Sequence, residues 1–129
     1  MSGTSLDGVD GLLVEFTDRL QPDTLSSPPL QLHAIGFSSR HLVGTLREQL
    51  FALQTPGPDE LSRAALAAIQ LTDLYAEVVA ELVATAGLRP QDIQGLGAHG
   101  QTVRHRPELG YTLQLLAPAR LAEQSGIDV

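Results

Sequence analysis

The alternation of apolar and polar positions changes period several times along the chain, and each change marks an element. Residues 11–16 (Gly-Leu-Leu-Val-Glu-Phe) are short, apolar and β-branched enough to predict a strand. The Gly- and Ser-rich residues before it read as the turn of a hairpin whose other strand would precede Met1. Residues 17–29 are polar and proline-bearing, a surface connection. Residues 30–38 predict a second strand, with Leu30, Leu32 and Ala34 on one face and His33 on the other. Leu42, Leu46, Leu50 and Leu53 then recur at helical spacing, predicting a helix over 39–53 with Ser38 or Ser39 as its cap. Thr55-Pro-Gly-Pro58 ends it, because proline removes a donor and disfavours helix before it.

The longest helical pattern covers residues 59–86. Leu61, Ala65, Ala68, Thr72, Tyr75, Val79 and Leu82 form its stripe, widened by Leu71, Leu74 and Val78. Gly87 is the expected stop, and Asp59 near the start suits the helix dipole. Residues 93–98 predict a short strand that delivers His99-Gly-Gln-Thr102 at its carboxyl end, where open sheets tend to bind ligands. Residues 111–116 predict another strand. Pro118 opens a short helix ending near Gly126, and residues 127–129 look like the opening of one more strand.

Composition narrows the function classes. With 43% apolar and 18% charged residues, the 129-residue chain has a globular rather than a disordered make-up. A net charge of −7 argues against nucleic-acid or anionic-membrane binding; Arg104 and Arg106 are the nearest approach to a basic cluster. Neither a secretory signal nor an apolar run of membrane-spanning length is expected. Zero cysteines exclude a disulfide framework and are compatible with a cytoplasmic location.

The chemistry concentrates in the first ten residues, Met1-Ser-Gly-Thr-Ser-Leu-Asp-Gly-Val-Asp10. Gly3 and Gly8 allow close backbone approach, and Ser2, Thr4 and Ser5 place hydroxyls beside backbone N–H groups, the equipment of an anion nest. Asp7 and Asp10 fit such a loop only with a cation between them and a phosphate. A bare carboxylate about 4 Å from a phosphate charge is repelled by roughly 4 kcal/mol at an effective dielectric near 20. Mg²⁺ commonly uses one or two carboxylates plus waters and substrate phosphates. A Mg·nucleotide loop and an ordinary Gly/Ser/Asp turn both account for these residues, and the string is neither GxxxxGK[ST] nor GxGxxG. Histidine ligation of zinc is disfavoured, since His99 and His105 share their segment with two arginines. Thr4 or Ser5 as a nucleophile lacks an identifiable partnering base.

The same ten-residue string resembles the N-terminal signature of the anhydro-N-acetylmuramic acid kinases. Gly97-Ala-His-Gly-Gln-Thr-Val-Arg-His-Arg-Pro107 resembles that family's second signature, with Thr112-Leu-Gln-Leu115 following it. The resemblance runs through essentially the whole chain but covers only part of the family's length. It implies the N-terminal lobe of an actin-like, sugar-kinase/hsp70-type ATPase, a ribonuclease H-like mixed sheet with flanking helices. The strands-then-helices pattern suits such a lobe. Residues 1–129 would be a single partial domain truncated at both ends, starting about one strand of five or six residues late.

The resemblance further implies an ATP-dependent kinase that opens 1,6-anhydro-N-acetylmuramic acid with water and phosphorylates its 6-oxygen. ATP and Mg²⁺ would be held by Gly3, Thr4, Ser5, Leu6, Asp7, Gly8, Val9 and Asp10, with Asp7 toward the metal. His99, Gly100, Gln101 and Thr102 would face the amino-sugar substrate, while Arg104 and His105 either support that segment or touch ligand. The aspartate that activates the water is expected beyond Val129, so the segment alone is expected to be inactive. The full-length parent would be cytoplasmic and a homodimer. Another actin-like kinase or ATPase, or an inert truncated module, are the alternatives.

Overall fold

The computed structural model describes residues 6–17 and 31–129; Gly3, Thr4, Ser5 and the connection over 18–29 lie outside the described residues. The elements are β1 (Gly8–Thr17), β2 (Gln31–His41), α1 (Gly44–Ala52), α2 (Glu60–Thr85), β3 (Gln101–Arg106), β4 (Tyr111–Leu115) and α3 (Pro118–Ser125). This is a mixed α/β arrangement in which β1 pairs antiparallel with β2 and β3 with β4, each pair a two-stranded sheet. No described helix is long and apolar enough to cross a membrane.

The first ribbon is longer at its loop end than the sequence pattern predicts. Pairing runs from Gly8 opposite His41 to Thr17 opposite Gln31, with a register shift between Leu13 and Val14. Ser38 and Ser39 are therefore strand residues instead of helix caps, because the backbone of residues 8–11 completes their ladder. The helix predicted from residue 39 starts only at Gly44, and Val43 at its N-cap makes no side-chain capping bond. The predicted leucine stripe nevertheless packs inward: Leu42, Leu50 and Leu53 are buried, and Leu46 packs against them.

Helix α2 is the spine. Its bounds match the periodicity within a residue at each end, and Gly87 follows it in the left-handed region as a stop. Its buried track is Ala67, Leu71, Thr72, Tyr75, Val78, Leu82 and Val83. The stripe thus begins later than predicted, and Leu61 is 88% exposed because the first turn of the helix runs past the core. Gly11 lets the ribbon lie tight on this helix: a Cβ there would come within 2.5 Å of Val78 Cγ1. Leu12, Phe16, Leu32, Ile35 and Phe37 farther along the ribbon stay exposed.

The second ribbon also departs from expectation. The strand predicted over 93–98 forms no ladder among the described residues; Leu96 N–H donates to the Asp128 carbonyl at 2.8 Å as a single tie. Apolar character alone cannot make a strand without a neighbour to accept its hydrogen bonds. The ladder begins at Gln101 instead, with Gln101 opposite Leu115 and Thr102 opposite Gln114. A bulge at Val103 shifts the register, and that side chain is buried in the core on the same face as Gln101. α3 starts at Pro118 and ends against Gly126 as the sequence predicts. Residues 127–129 form no strand.

Candidate functional site

The first signature segment enters the described structure at Leu6, which adopts φ +54°, a left-handed conformation unusual for a bulky side chain. Such a position costs roughly 1 kcal/mol or more and persists only where its surroundings over-determine it. Here they do. The Leu6 side chain is 2% exposed within the core, and its carbonyl accepts a hydrogen bond from Arg47 Nε of α1 at 3.2 Å. One residue on, the Asp7 carbonyl accepts Leu42 N–H at 3.0 Å. Val9 is buried in the same core, so its side chain packs inward and leaves only its backbone for a ligand.

The two aspartates of this segment differ. Asp10 Oδ1 accepts the Ser39 hydroxyl at 2.7 Å, across the β1–β2 ladder. Asp7 is exposed, and no hydrogen bond or ion pair engages its carboxylate among the described residues. No group of three His, Asp or Glu able to hold a metal occurs among the described residues. A Mg²⁺ here would therefore take Asp7 as its carboxylate and draw its remaining oxygens from phosphate and water, the donor set this ion favours.

The second signature segment is positioned by α2 and by β4. The Gly100 carbonyl accepts the Tyr75 hydroxyl at 3.4 Å, and Gly100 itself holds φ +71° with no room for a side chain. A Cβ there would sit 2.5 Å from the Leu115 carbonyl oxygen. His99 lies with Nδ1 3.1 Å from the Gly100 carbonyl oxygen and Nε2 2.7 Å from the Gln114 amide nitrogen. Gln101, predicted to face substrate, is instead fully buried, its amide N–H donating to the Thr102 carbonyl at 3.2 Å. Its place on the inward face of β3, two residues from Val103, makes it a support within the fold.

Thr102, Val103, Arg104, His105 and Arg106 line one wall of a cavity of about 310 Å³, with Gln54 and Pro56 of the α1–α2 connection on the other. Of the four predicted sugar-facing residues, Thr102 alone lines it. Arg104 is held rather than free. Its side chain is 14% exposed and pairs with Glu60 at 2.7 Å, while a second guanidinium nitrogen donates to the Val103 carbonyl. His105 Nδ1 lies 2.9 Å from the Thr112 hydroxyl, and Arg106 pairs with Glu108. Both basic residues beside the cavity thus carry a carboxylate partner, which lowers its attraction for anions.

Sequence reasoning missed the partners that hold these groups: Arg47 under Leu6, Ser39 beside Asp10, Tyr75 under Gly100, Gln114 against His99 and Glu60 on Arg104. Gln114 lies inside a signature string, while Ser39 reads from the sequence as a helix cap and Tyr75 as core packing. All of these partners but Gln114 lie far along the chain from the groups they hold.

Comparison with known proteins places both segments in one family pattern. The family model for anhydro-N-acetylmuramic acid kinase matches residues 1–129. The chain is similar to the anhydro-N-acetylmuramic acid kinase of Bordetella pertussis, 55% identical over 129 residues, covering 100% of this chain and 31% of that protein. It is likewise similar to the enzyme of the same name from Burkholderia pseudomallei, 54% identical over 129 residues with the same coverage. The chain therefore spans about a third of the length of the relatives it matches.

Proposed function

The chain belongs to the anhydro-N-acetylmuramic acid kinase family, and on that premise we propose that the whole protein transfers phosphate from ATP to its anhydro-amino sugar. Water opens the 1,6-anhydro bridge, the freed 6-oxygen takes the γ-phosphoryl group, and the products are N-acetylmuramate 6-phosphate and ADP. The reading is carried by one observation above the others. Leu6 and Asp7 are fixed through their main-chain carbonyls while the Asp7 carboxylate is left outward and unengaged among the described residues.

In this reading Gly3, Thr4 and Ser5 line the phosphates, together with the backbone of Leu6, Gly8 and Val9, and Asp10 braces the turn through Ser39. Mg²⁺, when bound, neutralises charge that builds on the phosphate oxygens. Asp7 would be committed to that cation, and a carboxylate so engaged is a poor proton acceptor. The general base lies outside these 129 residues. His99 and Thr102 approach the sugar, Gly100 sets the turn between them, and Gln101 and Arg104 hold the segment from behind. Phosphoryl transfer depends on in-line positioning by groups on both sides of the nucleotide. The 129-residue segment by itself is accordingly inactive.

Sugar-dependent release of ADP by the whole protein is the direct assay. Asp7→Asn should lower kcat on the order of 10²-fold or more while leaving the fold intact, as loss of a charge-positioning group does. ADP release that ignores the anhydro sugar would favour a different actin-like ATPase. Measurable turnover by residues 1–129 alone would overturn the placement of the base.

A further inference from the structure

The surroundings of His99 fix which of its ring nitrogens carries a proton, and with it the kind of ligand atom the ring can meet. Nδ1 faces the Gly100 carbonyl oxygen at 3.1 Å. A carbonyl only accepts, so the nitrogen in front of it must be an N–H; a bare lone pair there would face another lone pair. The carbonyl cannot swing away. Gly100 is locked at φ +71° against Leu115, and the same oxygen receives the Tyr75 hydroxyl at 3.4 Å. In the neutral ring the other nitrogen, Nε2, is then an acceptor, and the Gln114 amide N–H stands 2.7 Å from it as donor. Gln114 holds that place because the β3–β4 register sets it opposite Thr102, on an exposed face of the ribbon.

We infer that His99 is held as the Nδ1–H tautomer and presents Nε2 as a hydrogen-bond acceptor, so that it selects a ligand hydroxyl or N–H and discriminates against an anionic oxygen. Gln114 is the positioning residue: its exposed amide donates to Nε2 in the free protein and yields that place to the ligand donor. The assignment of that donor to a sugar hydroxyl rests on the kinase reading; the tautomer itself does not. The consequence is a division of labour. An ionised phosphate oxygen has no proton to offer Nε2, so His99 belongs to the polyol half of the substrate.

The test is long-range ¹H–¹⁵N NMR of the histidine rings in the whole protein, recorded where free imidazole is neutral. His99→Gln identifies the His99 signals among the four histidines of this segment. The expected result is a pyrrole-type ¹⁵N shift on Nδ1 and a pyridine-type shift on Nε2. The reverse pattern, or two pyrrole-type nitrogens, overturns the inference. Gln114→Glu offers only acceptors, so it should convert the ring to the doubly protonated form; an unchanged ring would show that Gln114 does not position it. Adding inorganic sulfate, a tetrahedral anion with no proton at this pH, should leave the Nε2 shift in place, and a sulfate-induced loss of the pyridine-type signal would again count against it. None of these outcomes depends on turnover, so a failed sugar-dependence assay would remove the kinase reading and leave the tautomer standing.

Discussion

Residues 6–10 and residues 99–106 are anchored on one hydrophobic core, yet by opposite means. The first segment is held by its main chain and its apolar side chains: Leu6 and Val9 are buried, and the Leu6 and Asp7 carbonyls are tied to α1 and to Leu42. Of its two carboxylates, Asp10 accepts the Ser39 hydroxyl and Asp7 is left outward. The second also reaches the core, through Val103 and the Gly100 carbonyl, but adds polar side chains with named partners: His99 with Gln114, Arg104 with Glu60, His105 with Thr112. Burial of Leu6 and Val9 fixes the first stretch without engaging the Asp7 carboxylate. In the second stretch, paired polar groups set the donor and acceptor roles of the side chains beforehand.

Breaking the second anchorage at its tightest point should have the largest effect. Gly100→Ala places a Cβ against the Leu115 carbonyl in a left-handed conformation and should cost roughly 3–4 kcal/mol or unpair the β3–β4 ribbon. A denaturation midpoint together with the amide exchange of residues 101–106 measures both. Leu6→Ala is the counterpart for the first segment. It removes a buried side chain and should cost about 2–3 kcal/mol, with faster exchange at residues 7–9 and little change around residue 103. Equal loosening of the two segments by either variant would mean that they are one cooperative unit.

Arg104→Ala sharpens the contrast at smaller scale. Loss of a mostly buried guanidinium from partly exposed Glu60 should cost about 1 kcal/mol, whereas Arg106→Ala at the exposed Glu108 pair should leave the denaturation midpoint unchanged. A double-mutant cycle of Arg104→Ala with Glu60→Gln isolates the pair term.

The smallest expected effect is acidic. Hydrogen bonds from Arg120 and Gln124 hold the Asp73 carboxyl below the ordinary carboxylate range, and Ser38, then Arg40, do the same for Glu81. A carboxyl whose folded pKa is depressed adds stability above its unfolded value of about 4 and loses it as pH falls through the folded value. Stability should therefore fall below about pH 4, with Asp73 loosening α3 and Glu81 loosening β2 from the common helix. Asp73→Asn should flatten only the α3 part, read from the acid dependence of amide exchange at residues 118–125. The exposure of these pairs keeps the effect small.

The helix pattern was the most legible feature. Leucine spacing placed α1 and α2, Gly87 and Gly126 marked helix ends, and Pro118 marked a start. Those signals are local, because a helix closes its hydrogen bonds within itself. Strand boundaries were less legible: residues 8–10 joined β1, Ser38 and Ser39 joined β2, and the apolar run at 93–98 found no ladder among the described residues. A strand exists only where a partner lies, and partners are set by the whole chain.

The site divides along the same line. Its two segments stood in the sequence as ordered strings, with Asp7, His99 and Thr102 already candidates. Their duties did not. That Gln101 is buried, that Asp10 is engaged by Ser39, that Arg104 is spent on Glu60 and that His99 faces a carbonyl and an amide came only with folding. The amino-acid sequence determined which chemical groups the protein owns and which helices carry them, because composition and helical period are local properties. Tertiary structure decided which groups are left for a ligand, because a donor or acceptor is free only after distant neighbours have taken or declined it.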